Sequence, residues 1–314
     1  MNLKDYINDW TNAPSNQGAN EKSLEVLLFR AMMDYYKNHP YCIAAVVRPE
    51  ETHKHYVYPG ASIQHYCEIS DILFAVFSRQ HNNLRMTHLQ AKRQYDNMVF
   101  ANSTSFVFGV DPLQYDLLHG RLPFRNRGKS NYPEQTLCNP IFSDSISSYG
   151  VFYKDAVGQY NFAYEIASWV HRYGGTGVFD TLITTKSYCN KLYHRTWPSI
   201  YDWFHEYTQG DCCAPHGELL STMDIHCFED EMSQCHVGSL VRQGNPISDA
   251  VVAYVAQIFD ANYNDMSDYE KEVVDAFREY IRTNDFVTGD IQIAKDAIPG
   301  SIVLIDSDKD IKKE

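Results

Sequence analysis

Asp71 stands inside an apolar run, between Ile69 and Ile72-Leu73-Phe74, and eighteen residues separate it from Gln90-Ala91-Lys92 in the segment HLQAKRQ. A carboxylate within an apolar strand is expensive unless a metal or a cation neutralises it. If LRMTHLQAKR is a strand, alternate side chains share a face, so Met86, His88, Gln90 and Lys92 point one way. A lysine set on such a face calls for an anion or a bound phosphate nearby. One Mg²⁺ or Mn²⁺ meets both demands, because it takes hard oxygen ligands: the Asp71 carboxylate, the Gln90 amide oxygen, the Ala91 carbonyl and waters. The alternative is a structural polar pair on a sheet edge. His88, on the Gln90 face, reads as a packed or solvated histidine.

The elements that must position these groups follow from periodicity. EKSLEVLLFRAMMDYY carries apolar residues at 24, 27, 28, 31, 32 and 35, the repeat of a helix, and stops before His39-Pro40. YCIAAVVR reads as a strand, HYCEISDILFAVF as a longer one and, after the polar loop SRQHNN, LRMTHLQAKR as a third. Residues 93–102 look helical, SFVFGV is another strand, and DPLQYDLLHG begins as a helix with Pro112 at its first position. The expected order over 21–119 is helix, three strands, helix, strand, helix: a small mixed sheet with helices on its faces. Tyr132-Pro133 and Asn139-Pro140 bracket a loop-rich stretch that suggests a division into residues 1–130 and an accessory region, 131–314. In that second region SYGVFYKD and VFDTLITT read as strands, FAYEIASWVHRY as a helix, 246–283 as one or two helices and SIVLID as a final strand.

Asp71 followed by Gln90-Ala91-Lys92-Arg93 resembles the PD-(D/E)xK nuclease signature in its QxK form, as found in Mrr-type restriction endonucleases. The resemblance covers residues 20–120 at most, and the family order of helix, three strands, helix and strand agrees with the order read above. It implies an α/β fold with a restriction-endonuclease-like core and an additional mixed α/β C-terminal region. An acidic residue on the first helix often completes the site in that family. Glu25 matches that position, with Glu21 one turn earlier as its substitute. The implied activity is metal-assisted phosphodiester hydrolysis, in which a bound cation lowers the pKa of a water and polarises the scissile phosphate. Lys92 would orient or help deprotonate that water and stabilise charge on the phosphate. Arg79, Arg85 and Arg93 are the candidates for gripping the nucleic-acid backbone. DNA is the expected substrate on family grounds, restriction or defence a fitting role, and a homodimer attractive because cutting both strands takes two sites. Gln in place of the usual carboxylate removes a negative charge from the site, which shifts the burden of holding the cation onto Asp71 and the helix glutamate.

The whole-chain charge of −13 argues against indiscriminate nucleic-acid binding. Charge is unevenly spread, however: residues 79–129 hold eight basic side chains against three acidic, and 249–314 seven against fifteen. No apolar run approaches the ~18 residues that span a bilayer, and MNLKDYINDW lacks the form of a secretory signal, so a cytoplasmic protein is expected. Cys212, Cys213, His216, His226, Cys227, Cys235 and His236 crowd the 212–236 stretch, where four could close a zinc site. Their spacing matches no common finger, and buried thiols with surface histidines explain it equally well. Two rivals to a nuclease therefore stand: an inactive nuclease-fold binding or assembly protein, and an acidic adaptor organised by zinc.

Overall fold

The computed structural model describes residues 2–13, 21–38, 44–47, 56–57, 66–67, 69–93, 105–125, 132–154, 158–173, 180–185, 223–288 and 301–308. Its helices are α1 (Leu3–Asn12), α2 (Glu21–Asn38), α3 (Pro112–His119), α4 (Ile225–Ser233), α5 (Pro246–Asn262) and α6 (Asp268–Thr283). Its first strands are β1 (Ala44–Val47), β2 (Tyr56–Val57), β3 (Tyr66–Cys67), β4 (Ile72–Ser78), β5 (Asn83–Arg93) and β6 (Ser105–Val110). The rest are β7 (Ser147–Lys154), β8 (Tyr160–Ile166), β9 (His171–Tyr173), β10 (Asp180–Thr185), β11 (Met223–Asp224), β12 (Ser239–Leu240) and β13 (Ser301–Asp306). The chain is a mixed α/β protein.

The hairpin expected on either side of SRQHNN is present. β4 and β5 pair antiparallel from Ile72↔Leu89 to Ser78↔Asn83, and Asn82 takes the left-handed conformation (φ 51°) that closes the turn. Around this hairpin an eight-stranded mixed sheet runs β1-β13-β4-β5-β7-β8-β11, with β12 also paired to β5. β13 lies parallel to β4, and β7 lies parallel to the second half of β5, from His88 to Arg93. SIVLID is apolar at its four central positions and buried throughout, as a strand with neighbours on both edges must be.

Alternation divides the sheet into two faces. Ile72, Phe74, Val76, Leu89, Ala91, Phe162 and Tyr164 pack with α1, α2 and α4 on one face. Leu73, Ala75, Phe77, Met86, Tyr149 and Val151 pack with α3, α5 and α6 on the other. Helix starts are well specified: Asp111 caps α3 ahead of Pro112, Asn245 caps α5 ahead of Pro246, and Ser267 with Glu270 forms a capping box on α6.

Several expectations change. The long strand read over HYCEISDILFAVF is two elements, since β3 pairs with β2 in a separate two-stranded sheet. SFVFGV is a strand, but it belongs to a three-stranded sheet, β6-β10-β9, and not beside the hairpin. FAYEI is strand, not helix: Tyr160, Phe162, Tyr164 and Ile166 alternate onto one apolar cluster, so period two prevails and the segment pairs with β7, and only Ala167–Trp169 beyond it make a single 3-10 turn. The helix expected at 93–102 falls outside the described residues after Arg93, which ends β5. The sheet also draws β7, β8, β11, β12 and β13 from beyond residue 130. A cut at 130 would separate hydrogen-bonded neighbours, so 131–314 helps to build the sheet that carries the site. Among the described residues no helix is long and apolar enough to cross a membrane.

Candidate active site

Asp71 sits one residue ahead of β4, and its backbone is tied on both sides. Its N–H donates to the Leu89 carbonyl at 3.1 Å, and its carbonyl accepts from Ser301 N–H of β13 at 2.8 Å. The side chain, two residues before Leu73, points to the α3 face and meets Gln90 there. Asp71 Oδ2 accepts from the Gln90 side-chain amide and, at 2.7 Å, from the Ala91 N–H. In an extended strand the carbonyl of a residue points to the same edge as its N–H, so the Ala91 carbonyl also faces the edge where Asp71 lies. The convergence of Asp71, Gln90 and Ala91 read from the sequence is thus present.

The orientation of Gln90 was not foreseen. Its Nε2 faces Asp71, and its Oε1 accepts a 2.6 Å hydrogen bond from Nε2 of Gln114 on α3. Gln90 is 4% exposed and Gln114 5%, whereas Asp71 is half-buried. Gln114 is placed by the start of α3, where its backbone N–H is one of two that the Asp111 carboxylate caps. The DPLQ cap-and-proline pattern announced the helix but not the strand residue its third position would meet.

Beside this network lies a second one. Ser70 Oγ is 3.0 Å from His88 Nδ1, and His88 Nε2 is 2.5 Å from the Tyr132 hydroxyl. His88 is fully buried, and burial pushes its pKa down to about 3, so the imidazole is neutral. It acts as a bridge that holds Ser70, the neighbour of Asp71. Lys92 lies two positions beyond Gln90 on the same face, roughly 6.6 Å along the strand, and is half-exposed.

Across the sheet, Gln90 stands beside Tyr149 of β7, and Tyr149 stands opposite Glu165 of β8. Glu165 is 1% exposed and shares the Gln90 face. Among the described residues the buried Tyr149 hydroxyl has no hydrogen-bond partner, and burial raises its pKa well above the usual tyrosine value. The alternation of YNFAYEI, with Glu165 on its less apolar side, is the sequence signal for this row.

Other candidates fare differently. Glu25 and Glu21 lie in α2, of which only the backbone is described at those positions. The described part of α2 packs on the opposite face of the sheet, with Tyr36 against Phe74. A carboxylate from this helix would have to reach the Asp71 cluster around the end of the sheet. Arg85 is no surface grip: it is 4% exposed, and its guanidinium donates to the Gly238 carbonyl at 2.9 Å. Arg79 is at the far end of the hairpin, roughly 25 Å along the strand from Asp71, where it pairs with Glu279 and Asp306 at 3.5 Å and Asp308 at 3.9 Å. Arg93 is half-exposed and next to Lys92, on the other face.

Among the described residues no three His, Cys, Asp or Glu side chains converge as a metal site. Of the zinc candidates, Cys212, Cys213 and His216 lie outside the described residues, and His226 and Cys227 are described only as backbone of α4. Cys235 donates its thiol to the Val76 carbonyl at 3.2 Å, and burial pushes its pKa up to about 12, which disfavours the thiolate that zinc requires. His236 is held by Glu231 at 2.5 Å. No protein-family profile matches the chain, and no curated protein or solved structure matches it significantly.

Proposed function

We propose that this protein is a Mg²⁺- or Mn²⁺-dependent endonuclease acting on DNA, with a restriction-endonuclease-like core that carries Asp71, Gln90, Ala91 and Lys92. The observation that carries the reading is the meeting of Asp71 with Gln90 at the open end of the β4–β5 hairpin. The donor set suits a hard divalent cation once the Gln90 amide turns its oxygen toward Asp71: a carboxylate oxygen, that amide oxygen and the Ala91 carbonyl, with Glu25 or Glu21 as the helix acid reaching around the end of the sheet. Once bound, such a cation supplies an activated water and neutralises charge on the phosphate. Asp71 anchors that site through a backbone fixed to two neighbouring strands. Lys92 provides the fixed positive charge beside it, placed to orient the attacking water and to stabilise the phosphate oxygens. His88 and Ser70 hold the turn into Asp71, and burial, which disfavours the imidazolium, leaves His88 a structural bridge and not a general base.

Incubating the protein with plasmid DNA and Mg²⁺ or Mn²⁺, with EDTA as control, tests the reading. Cleavage that vanishes in Asp71→Ala and Lys92→Ala, while both variants keep the wild-type circular dichroism, supports it. Metal-independent cleavage, or full activity in Asp71→Ala, refutes it.

A second reading, an inactive nuclease-fold binding or assembly protein, draws on one observation. The Gln114–Gln90–Asp71 chain satisfies the carboxylate without any cation. Binding of DNA or of a second copy without cleavage under any divalent metal would favour it.

A further inference from the structure

We propose that Gln114 is a positioning residue that sets which atom of the Gln90 amide faces Asp71, and thereby governs entry of a divalent cation. The proposal rests on the reading of Asp71 and Gln90 as metal ligands. A primary amide has a donor end and an acceptor end. Gln114 donates to the acceptor end of Gln90 from above the sheet, and this fixes the donor end toward Asp71. With its N–H group facing the carboxylate, Gln90 offers a cation nothing. Ligation needs the half-turn that brings Oε1 to the Asp71 side.

That half-turn is not free for Gln90 alone. It would set the Gln90 N–H group against the Gln114 N–H group, donor against donor, between side chains only 4% and 5% exposed. Buried donors without acceptors are strongly disfavoured, and little water reaches these two. Gln90 therefore turns only when Gln114 turns with it and presents its own oxygen. The two amides form a coupled pair with two states: closed on Asp71, or open to a cation. α3 sets the position of Gln114, so whatever moves α3 shifts the balance between them.

Glutamate at position 114 can only accept. It would hold the Gln90 N–H group toward α3 and leave Oε1 on the Asp71 side. Mn²⁺ binding, followed by the loss of free-ion electron paramagnetic resonance signal, should tighten in Gln114→Glu by about tenfold, the scale of one buried donor mismatch. Added negative charge alone would act even without the amide, so Gln114→Glu is also measured in a Gln90→Leu background, where it should change affinity by less than about threefold. An equal effect in both backgrounds overturns the proposal. Affinity that Asp71→Ala abolishes but Gln114→Glu leaves unchanged overturns the proposal alone. Mn²⁺ binding that Asp71→Ala does not weaken overturns the metal site and the proposal together.

The wild-type chain gives an independent measurement. With ¹⁵N-glutamine labelling, the side-chain amide resonances of Gln90 and Gln114 should move together during a Mg²⁺ titration, with one midpoint. Movement of Gln90 while Gln114 stays in place overturns the coupling.

Discussion

The buried imidazole of His88 makes a quantitative test of the layer beneath the site. His88 is 0% exposed between Ser70 and Tyr132, and its pKa falls from 6.5 to about 3 because burial penalises the charged form. In the unfolded chain the group regains its ordinary value and binds a proton below about pH 6.5. The unfolded state thus holds more protons between the two values, and stability must fall as pH drops through that window. At pH 5.0 the loss is RT ln(1 + 10^1.5), about 2 kcal/mol relative to pH 7.5. The figure depends almost wholly on the unfolded value, since a folded pKa one unit higher changes it by less than ~0.1 kcal/mol. The assay is urea unfolding at pH 7.5 and 5.0 for wild type and for His88→Gln, which keeps a hydrogen-bonding side chain but no titration. Carboxylates contribute to both chains and cancel in the comparison. Wild type should lose about 2 kcal/mol more than the variant. Equal losses would mean that His88 is protonated or solvated in the native state, and the bridge to Ser70 would fall with it.

Other perturbations separate structural from functional groups. Gly238 (φ 96°) abuts β5 so closely that a Cβ would lie 2.6 Å from the Met86 carbonyl oxygen. Gly238→Ala should therefore destabilise by about 2 kcal/mol or more in denaturant unfolding. Arg85→Ala should cost a similar amount, about 2 kcal/mol, while Arg79→Ala, a half-exposed ion-pair residue, stays within ~1 kcal/mol. Neither should alter DNA affinity in fluorescence anisotropy under conditions where the variants are folded, whereas Arg93→Ala should weaken it. Cys235 should react with a thiol reagent only after unfolding, so native Cys235→Ser shows no loss of fast-reacting thiol. EDTA should abolish DNA cleavage yet leave the melting temperature unchanged, because Asp71 is already satisfied by Gln90 and Ala91.

The parts of this structure legible in the sequence are those set by local pattern. Alternation around SRQHNN defines a hairpin and puts His88, Gln90 and Lys92 on one face, and the register Ile72↔Leu89 adds Asp71 to it. Capping residues mark α3, α5 and α6. What escaped depends on distant partners. β13 slots between β1 and β4 although more than two hundred residues separate it from either, and nothing within SIVLID names its neighbours. The apolar period of α2 shows that it packs, but not on which face, and that choice governs whether Glu25 can approach Asp71. Arg85 looks like any surface arginine until Gly238 and β12 close over it. Glu165 was hidden because YNFAYEI fits a helix and a strand about equally well, and only pairing with β7 decides.

Gln90 changes what the end of the hairpin requires. Were a carboxylate at this position ~4 Å from Asp71, the two charges would repel by ~4 kcal/mol at the effective dielectric of a protein surface. The hairpin would then close well only around a cation. An amide reverses the sign of that contact, because its N–H group donates to Asp71 while the Ala91 N–H donates beside it. The site can fold empty, and Gln114 completes the arrangement from α3. The same hydrogen bonds that make the fold independent of metal stand against loading, since a cation must displace a donor already bound to its carboxylate. On the proposed reading, affinity at this site is a difference between ligation and a competing internal bond. The residue that sets that difference lies on a helix, outside the motif that drew attention to the strand.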